Sequence, residues 1–79
     1  MEKEIIALLE KILDVPAGTV TVETEIGELP EWDSLHNVQI IAELEGKYHI
    51  SIQYEDIMDL ENVADIIDMV EEFTKKWAR

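Results

Sequence analysis

The chain has 79 residues, 19 acidic and 6 basic, no cysteine and a formal net charge of −13. That length fits one domain with a small core rather than an enzyme built around a deep cleft, and the charge opposes nucleic acid and anionic membrane surfaces, whose phosphates are held by Lys and Arg. Without cysteine the chain has no disulfide, no zinc–thiolate site and no thiol nucleophile of its own.

Residues 2–13 form the first predicted helix, since Ile5, Leu8, Leu9, Ile12 and Leu13 recur at helical spacing with Glu2, Lys3, Glu10 and Lys11 mostly opposite. Asp14-Val15-Pro16-Ala17-Gly18 stops it, because Pro16 disfavours a helical Val15 and Gly18 permits a turn. A long connection follows over 19–33. Its start alternates like a strand at Val20 and Val22 but is too short and has no partner. The reading is a loop whose apolar residues, Ile26, Leu29 and Trp32 among them, tuck over the core; loops of this length are often functional.

Asp33 or Ser34 caps a second helix, with Leu35, Val38, Ile41, Leu44 and Tyr48 as its apolar stripe and Gly46 weakening its last turn. Residues 54–58 allow one short helical turn. Leu60, Val63, Ile66, Ile67, Val70, Phe73 and Trp77 mark the last helix, capped by Asn62 with Asp65 three residues on, and with Lys75, Lys76 and Arg79 at the negative end of its dipole. No apolar run approaches the ~18 residues of a membrane span, and Met1-Glu2-Lys3-Glu4 is no signal peptide, so a cytoplasmic chain without membrane insertion is expected. The fold class is all-α: a small four-helix bundle of three main helices and one short helix, with a long loop between helices 1 and 2, in a single domain over 1–79.

A serine in the first turn of a helix, after a long loop, is exposed and close to unpaired backbone amides. That setting suits a bound or attached phosphate, or a plain helix cap. Nothing activates the Ser34 hydroxyl: His36 is two residues on and does not share its face, and His49 lies at the far end of the helix. With no Gly-x-Ser-x-Gly motif either, a serine hydrolase is set aside. The acids Glu55, Asp56, Asp59 and Glu61 lack the spacing of a calcium loop and read as a solvated face, so no metal site is expected. Trp32 and Trp77 read as cover for opposite ends of the core, Trp32 close to the serine.

The run Pro30-Glu31-Trp32-Asp33-Ser34-Leu35-His36-Asn37-Val38-Gln39-Ile40-Ile41-Ala42-Glu43-Leu44-Glu45, with Tyr48, Ile50 and Ile52 beyond it, resembles the phosphopantetheine attachment region of acyl and peptidyl carrier proteins. The resemblance extends over essentially the whole chain. It implies that a phosphopantetheinyl transferase moves 4'-phosphopantetheine from coenzyme A onto Ser34, and that the arm's thiol carries acyl or aminoacyl groups between enzymes as thioesters. The chain itself would be no enzyme. Asp33 matches the family acid beside the serine, expected to cap the helix and help the transferase place its metal.

Leu35 and Val38 match apolar positions that partners touch; spacing with Ile41 makes Val38 a core residue and leaves Leu35 open. Leu35, His36, Glu43 and Glu45 are the expected partner-binding residues. The partners are acyl- or aminoacyl-loading and acyl-transferring enzymes with basic docking patches, met by a monomer. Cargo lies between helices 2 and 3 or stays in solvent; Ile41, Ile57, Met58 and Leu60 are candidates to line such a cleft, but read first as ordinary core. Two departures narrow the group: His36, Asn37 and Gln39 stand where fatty-acid carriers tend to bear acids, and Pro30-Glu31-Trp32 replaces their usual Gly-Ala. Both resemble stand-alone carriers of specialised pathways, including D-alanyl carriers. An acidic helical adaptor that is never modified is the competing reading.

Overall fold

Four helices form where the apolar spacing predicts them: α1 (Glu2–Leu13), α2 (Ser34–Tyr48), α3 (Tyr54–Met58) and α4 (Val63–Trp77). The computed structural model describes residues 1–77, the side chain of Trp77 excepted. The expected core cover by Trp77 and the charge of Arg79 at the helix end lie outside the described residues. Among the described residues there is no strand, only an isolated antiparallel bridge between Glu25 and Asn62.

Each helix stops for a local reason. Asp14 turns left-handed (φ 58°), and the N–H of Val15 returns to the Glu10 carbonyl at 3.1 Å, closing α1. His49 does the same for α2 (φ 56°), its N–H going to the Glu45 carbonyl. Gly46 therefore sits inside α2 and does not end it. At α3 the Asp56 carboxylate accepts from the Gln53 N–H at 2.9 Å, and at α4 Asn62 Oδ1 accepts from the Asp65 N–H at 3.0 Å, as its cap position predicts.

The core is the meeting of three helices, α1, α2 and α4, which pack on one another pairwise, while α3 approaches none of them closely. Ile5, Leu9 and Leu13 of α1, Ile40 and Leu44 of α2, and Val63, Ile66 and Val70 of α4 are buried completely or nearly so. Ile50 and Ile52 close the core below α3, and Val20 and Trp32 close it from the loop. At the opposite end, the Tyr48 hydroxyl lies 3.5 Å from Glu4 Oε1; burial first, and then the Glu4 charge, hold this phenol above its ordinary 10.0.

Val38 corrects the sequence reading. It is 67% exposed, and Leu35 beside it 74%, whereas Ile40 is fully buried. A helix turns once in about 3.6 residues, so a stripe stepped at three drifts off the buried face. The face that packs is centred on Ile40 and Leu44, flanked by Ile41 and Tyr48, which turns Leu35 and Val38 toward solvent. Glu10 is the second correction. Predicted on the polar side of α1, it is only 8% exposed.

The 14–33 loop is fastened along its length. Glu10 Oε2 accepts from the Gly18 N–H at 2.8 Å and the Val20 N–H at 3.1 Å, holding the start. In the middle, the carbonyls of Val22 and Thr24 accept the N–H groups of Ala64 and Val63, both at 2.9 Å, and Ile26 N–H donates to the Glu61 carbonyl at 3.0 Å. The first two satisfy amides that the first turn of α4 cannot pair within its own helix. At the end, the Trp32 indole Nε1–H donates to Asn37 Oδ1 at 3.0 Å. The loop therefore arrives at Ser34 along a fixed path.

Candidate functional site

Asp33, in extended conformation (φ −95°), is the N-cap of α2, and Ser34 is the helix's first residue. Asp33 Oδ1 accepts from the His36 backbone N–H at 2.9 Å and lies 2.8 Å from His36 Nδ1. An ionised carboxylate only accepts, so Nδ1 carries the proton in this pair. The His36 backbone bond, then the bond from its ring, hold the Asp33 carboxyl below its ordinary 3.8, against a smaller opposing effect of burial. His36 is thus turned back onto the cap beside the serine, an arrangement that spacing from Ser34 alone does not suggest.

Ser34 is exposed. On its loop side a cavity of about 220 Å³ is lined by Ile26, Gly27, Trp32, Asp33, Ser34 and Asn37. Gly27, at φ 83°, makes a turn there that L side chains rarely adopt. One turn further along α2, a groove of about 340 Å³ opens between α2 and α3, lined by Asn37, Val38, Ile41, Ala42, Glu45, Tyr54 and Ile57. Of the possible cargo-lining residues, Ile41 and Ile57 reach this groove, Met58 is 66% exposed nearby, and Leu60 is half-buried against the core.

The other expected partner residues part company. Glu43 is exposed. Glu45 is half-buried, and its Oε2 accepts from the Ile52 N–H at 2.8 Å, tying the turn before α3 back to α2. Among the described residues no group of three or more His, Asp or Glu is arranged to hold a metal ion, and no helix is long and apolar enough to cross a membrane.

Sequence reasoning missed two residues of this region. Asn37 is half-buried and its Oδ1 accepts the hydrogen bond of the Trp32 indole N–H. Tyr54 is 72% exposed and lines the groove. Asn37 had a legible signal, being a polar residue three positions after Ser34 and so on the serine's side of the helix.

Three comparisons bear on this arrangement. A family model described as "Phosphopantetheine attachment site" matches residues 3–70. An acyl carrier protein of Brachyspira hyodysenteriae is 35% identical over 77 residues, covering 87% of this chain and 99% of that one. One of Thermobifida fusca is 34% identical over 74 residues, covering 89% and 94%. In structure the chain is similar to a holo acyl carrier protein from Geobacter metallireducens solved by solution NMR, with TM-score 0.85 and 25% identity over 95% of this chain and 86% of that one.

Proposed function

This chain belongs to the phosphopantetheine attachment-site family, and from that premise we propose that Ser34 is the residue that bears the arm. The protein is an acyl carrier and not an enzyme, its cofactor being covalently bound 4'-phosphopantetheine. When bound, the arm supplies a thiol on which acyl groups travel as thioesters. Its relatives are acyl carriers, which favours neither an aminoacyl cargo nor an unmodified adaptor. The observation that carries Ser34 is its position: an exposed hydroxyl at the first residue of α2, directly after the capping acid, with a cavity beside it.

The test is intact mass after incubation with coenzyme A and a broad-range transferase. Wild type gains one phosphopantetheine and Ser34→Ala gains none. An unchanged wild-type mass, or an equal gain in Ser34→Ala, overturns the assignment.

The protein is handled by a phosphopantetheinyl transferase and by acyl-handling enzymes. For the transferase, Asp33 uses Oδ1 for the cap, and its other oxygen stands outside those two bonds, where it suits the placing of the enzyme's metal. For the rest, the exposed apolar side chains Leu35, Val38, Tyr54 and Met58, with the exposed acids Glu55 and Asp59 in and just after α3, suit partners with an apolar centre and a basic rim, whereas Glu43 lies on the α1 side of α2 beside Lys11 and Gln39. Glu45 is committed to Ile52, and His36 to Asp33, so both act by shaping the surface rather than meeting a basic patch. A charge of −13 opposes self-association and favours a monomer.

Residues 34–42 carry no carboxylate in a chain otherwise dense with them. Housekeeping fatty-acid enzymes that read acids there therefore dock poorly, in keeping with a specialised pathway. Efficient malonyl loading of the holo protein by such enzymes would count against this.

A further inference from the structure

Of the three fastenings of the 14–33 loop, only the last reaches the turn that carries Ser34. Trp32 is 4% exposed and its ring belongs to the core, yet its Nε1–H donates to Asn37 Oδ1 at 3.0 Å. A buried indole needs an acceptor for that proton, and here the acceptor stands on α2, three residues after Ser34 and on the same side of the helix. The backbone of Trp32 is itself held, its N–H donating to the Leu29 carbonyl at 2.9 Å.

The first turn of a helix frays readily, because its leading amides have no partner within the helix. Two bonds inside that turn, Asp33 Oδ1 to the His36 N–H and Asp33 carbonyl to the Asn37 N–H at 2.9 Å, fix its shape. Neither fixes its direction relative to the incoming loop. The indole does, since it is anchored in the core at one end and bonded to the turn at the other.

We propose that the Trp32–Asn37 hydrogen bond is a positioning latch, which locks the loop's end against the first turn of α2 and so presents the Ser34 hydroxyl to the transferase in a single orientation. Trp32 and Asn37 are positioning residues and take no part in the transfer itself. The latch rests on the assignment of Ser34 as the attachment residue.

Three substitutions separate orientation from packing. Trp32→Phe keeps an aromatic ring in the core and loses the donor. Asn37→Ala loses the acceptor and leaves Trp32 whole. Asn37→Asp keeps an acceptor oxygen. At a temperature where every variant is folded by circular dichroism, Trp32→Phe and Asn37→Ala lower kcat for phosphopantetheine transfer roughly fivefold, the scale of one neutral hydrogen bond, with KM for the carrier within about twofold of wild type. The double variant is no slower than either single one, Asn37→Asp recovers most of the rate, and the amide protons of Leu35 and His36 exchange faster only where the bond is lost.

Packing alone would lower the melting midpoint and leave kcat unchanged. Equal kcat in all the proteins, or rate losses that simply multiply in the double variant, overturns the latch. A wild type that gains no mass removes the attachment assignment and the latch with it. A wild type that is modified no faster than its variants removes the latch alone.

Discussion

The loop side of Ser34 and the α2–α3 side are built in opposite ways. On the loop side, a buried carboxylate, the first amides of α4 and an indole each hold the chain by directed hydrogen bonds, and Val20 and Trp32 are buried. On the other side, α3 approaches no other helix closely, its residues are at best half-buried, and Leu35, Val38, Tyr54 and Met58 stand in solvent. Directed bonds fix one geometry. Loosely packed apolar surface adapts to what meets it, Met58 with its flexible thioether above all. A carrier needs both properties at one residue: an attachment point presented consistently to a transferase, and a neighbouring face that accepts several enzymes and cargoes.

The largest expected effects divide the two faces of α2. Ile40 is fully buried and Val38 is 67% exposed. Ile40→Ala, which leaves a cavity among α1, α2 and α4, costs about 3 kcal/mol of unfolding free energy. Val38→Ala stays within about 0.5 kcal/mol while weakening the docking of loading enzymes. Urea denaturation of the two variants side by side checks the first part and loading kinetics the second. A Val38→Ala cost equal to that of Ile40→Ala would return Val38 to the core and erase the contrast between the faces.

Next in size is the loop's first fastening. Glu10→Ala strips the acceptor from both Gly18 N–H and Val20 N–H, and two amides left short of a partner cost about 2 kcal/mol together. Glu10→Gln keeps one acceptor oxygen and costs less. Melting midpoints rank the variants, and hydrogen exchange at Gly18 and Val20 locates the damage. If Glu10→Ala melts with wild type, the loop's start is held by its apolar contacts and the hydrogen bonds there are incidental.

The sequence made the helices legible because each carries an apolar period and a stop: Pro16 behind α1, Asp33 before α2, Asn62 before α4. It made the exposed serine legible through the same cap. The phase of α2 was not legible, because Leu35, Val38, Ile40 and Ile41 supply more apolar residues than one face can bury, and periodicity alone does not say which are left over. That surplus is itself the signature of a second apolar surface.

Glu10 was half legible. Four residues after Ile6 and three before Leu13, it borders the apolar stripe of α1 although most of that stripe lies opposite, and a border position allows burial. Which donors it meets there depends on the path of a loop with no periodicity to read. The Trp32–Asn37 bond is hidden for the same reason: it joins a loop residue to a helix residue, and only the three-dimensional path brings them together.

The smallest expected effect concerns the cap itself. The Asp33 carboxyl lies below its ordinary 3.8, chiefly because the His36 backbone N–H bonds to it and secondly because the His36 ring does. An acid whose value is lower in the folded chain binds protons more readily in the unfolded one. Its contribution to stability is therefore complete above about pH 4 and is lost as pH falls through the lowered folded value. In melts taken from neutral pH downward, Asp33→Asn should differ from wild type by an amount that is constant until about pH 4 and shrinks below it. The effect is small because the carboxylate is exposed to solvent. His36→Ala removes the ring's bond and keeps the backbone amide's, so it retains the larger share of the shift when the Asp33 carboxyl is titrated by NMR. Were Asp33 to titrate at its ordinary value, the cap would be open in solution, and the loop side of Ser34 would be no more fixed than the face it is contrasted with.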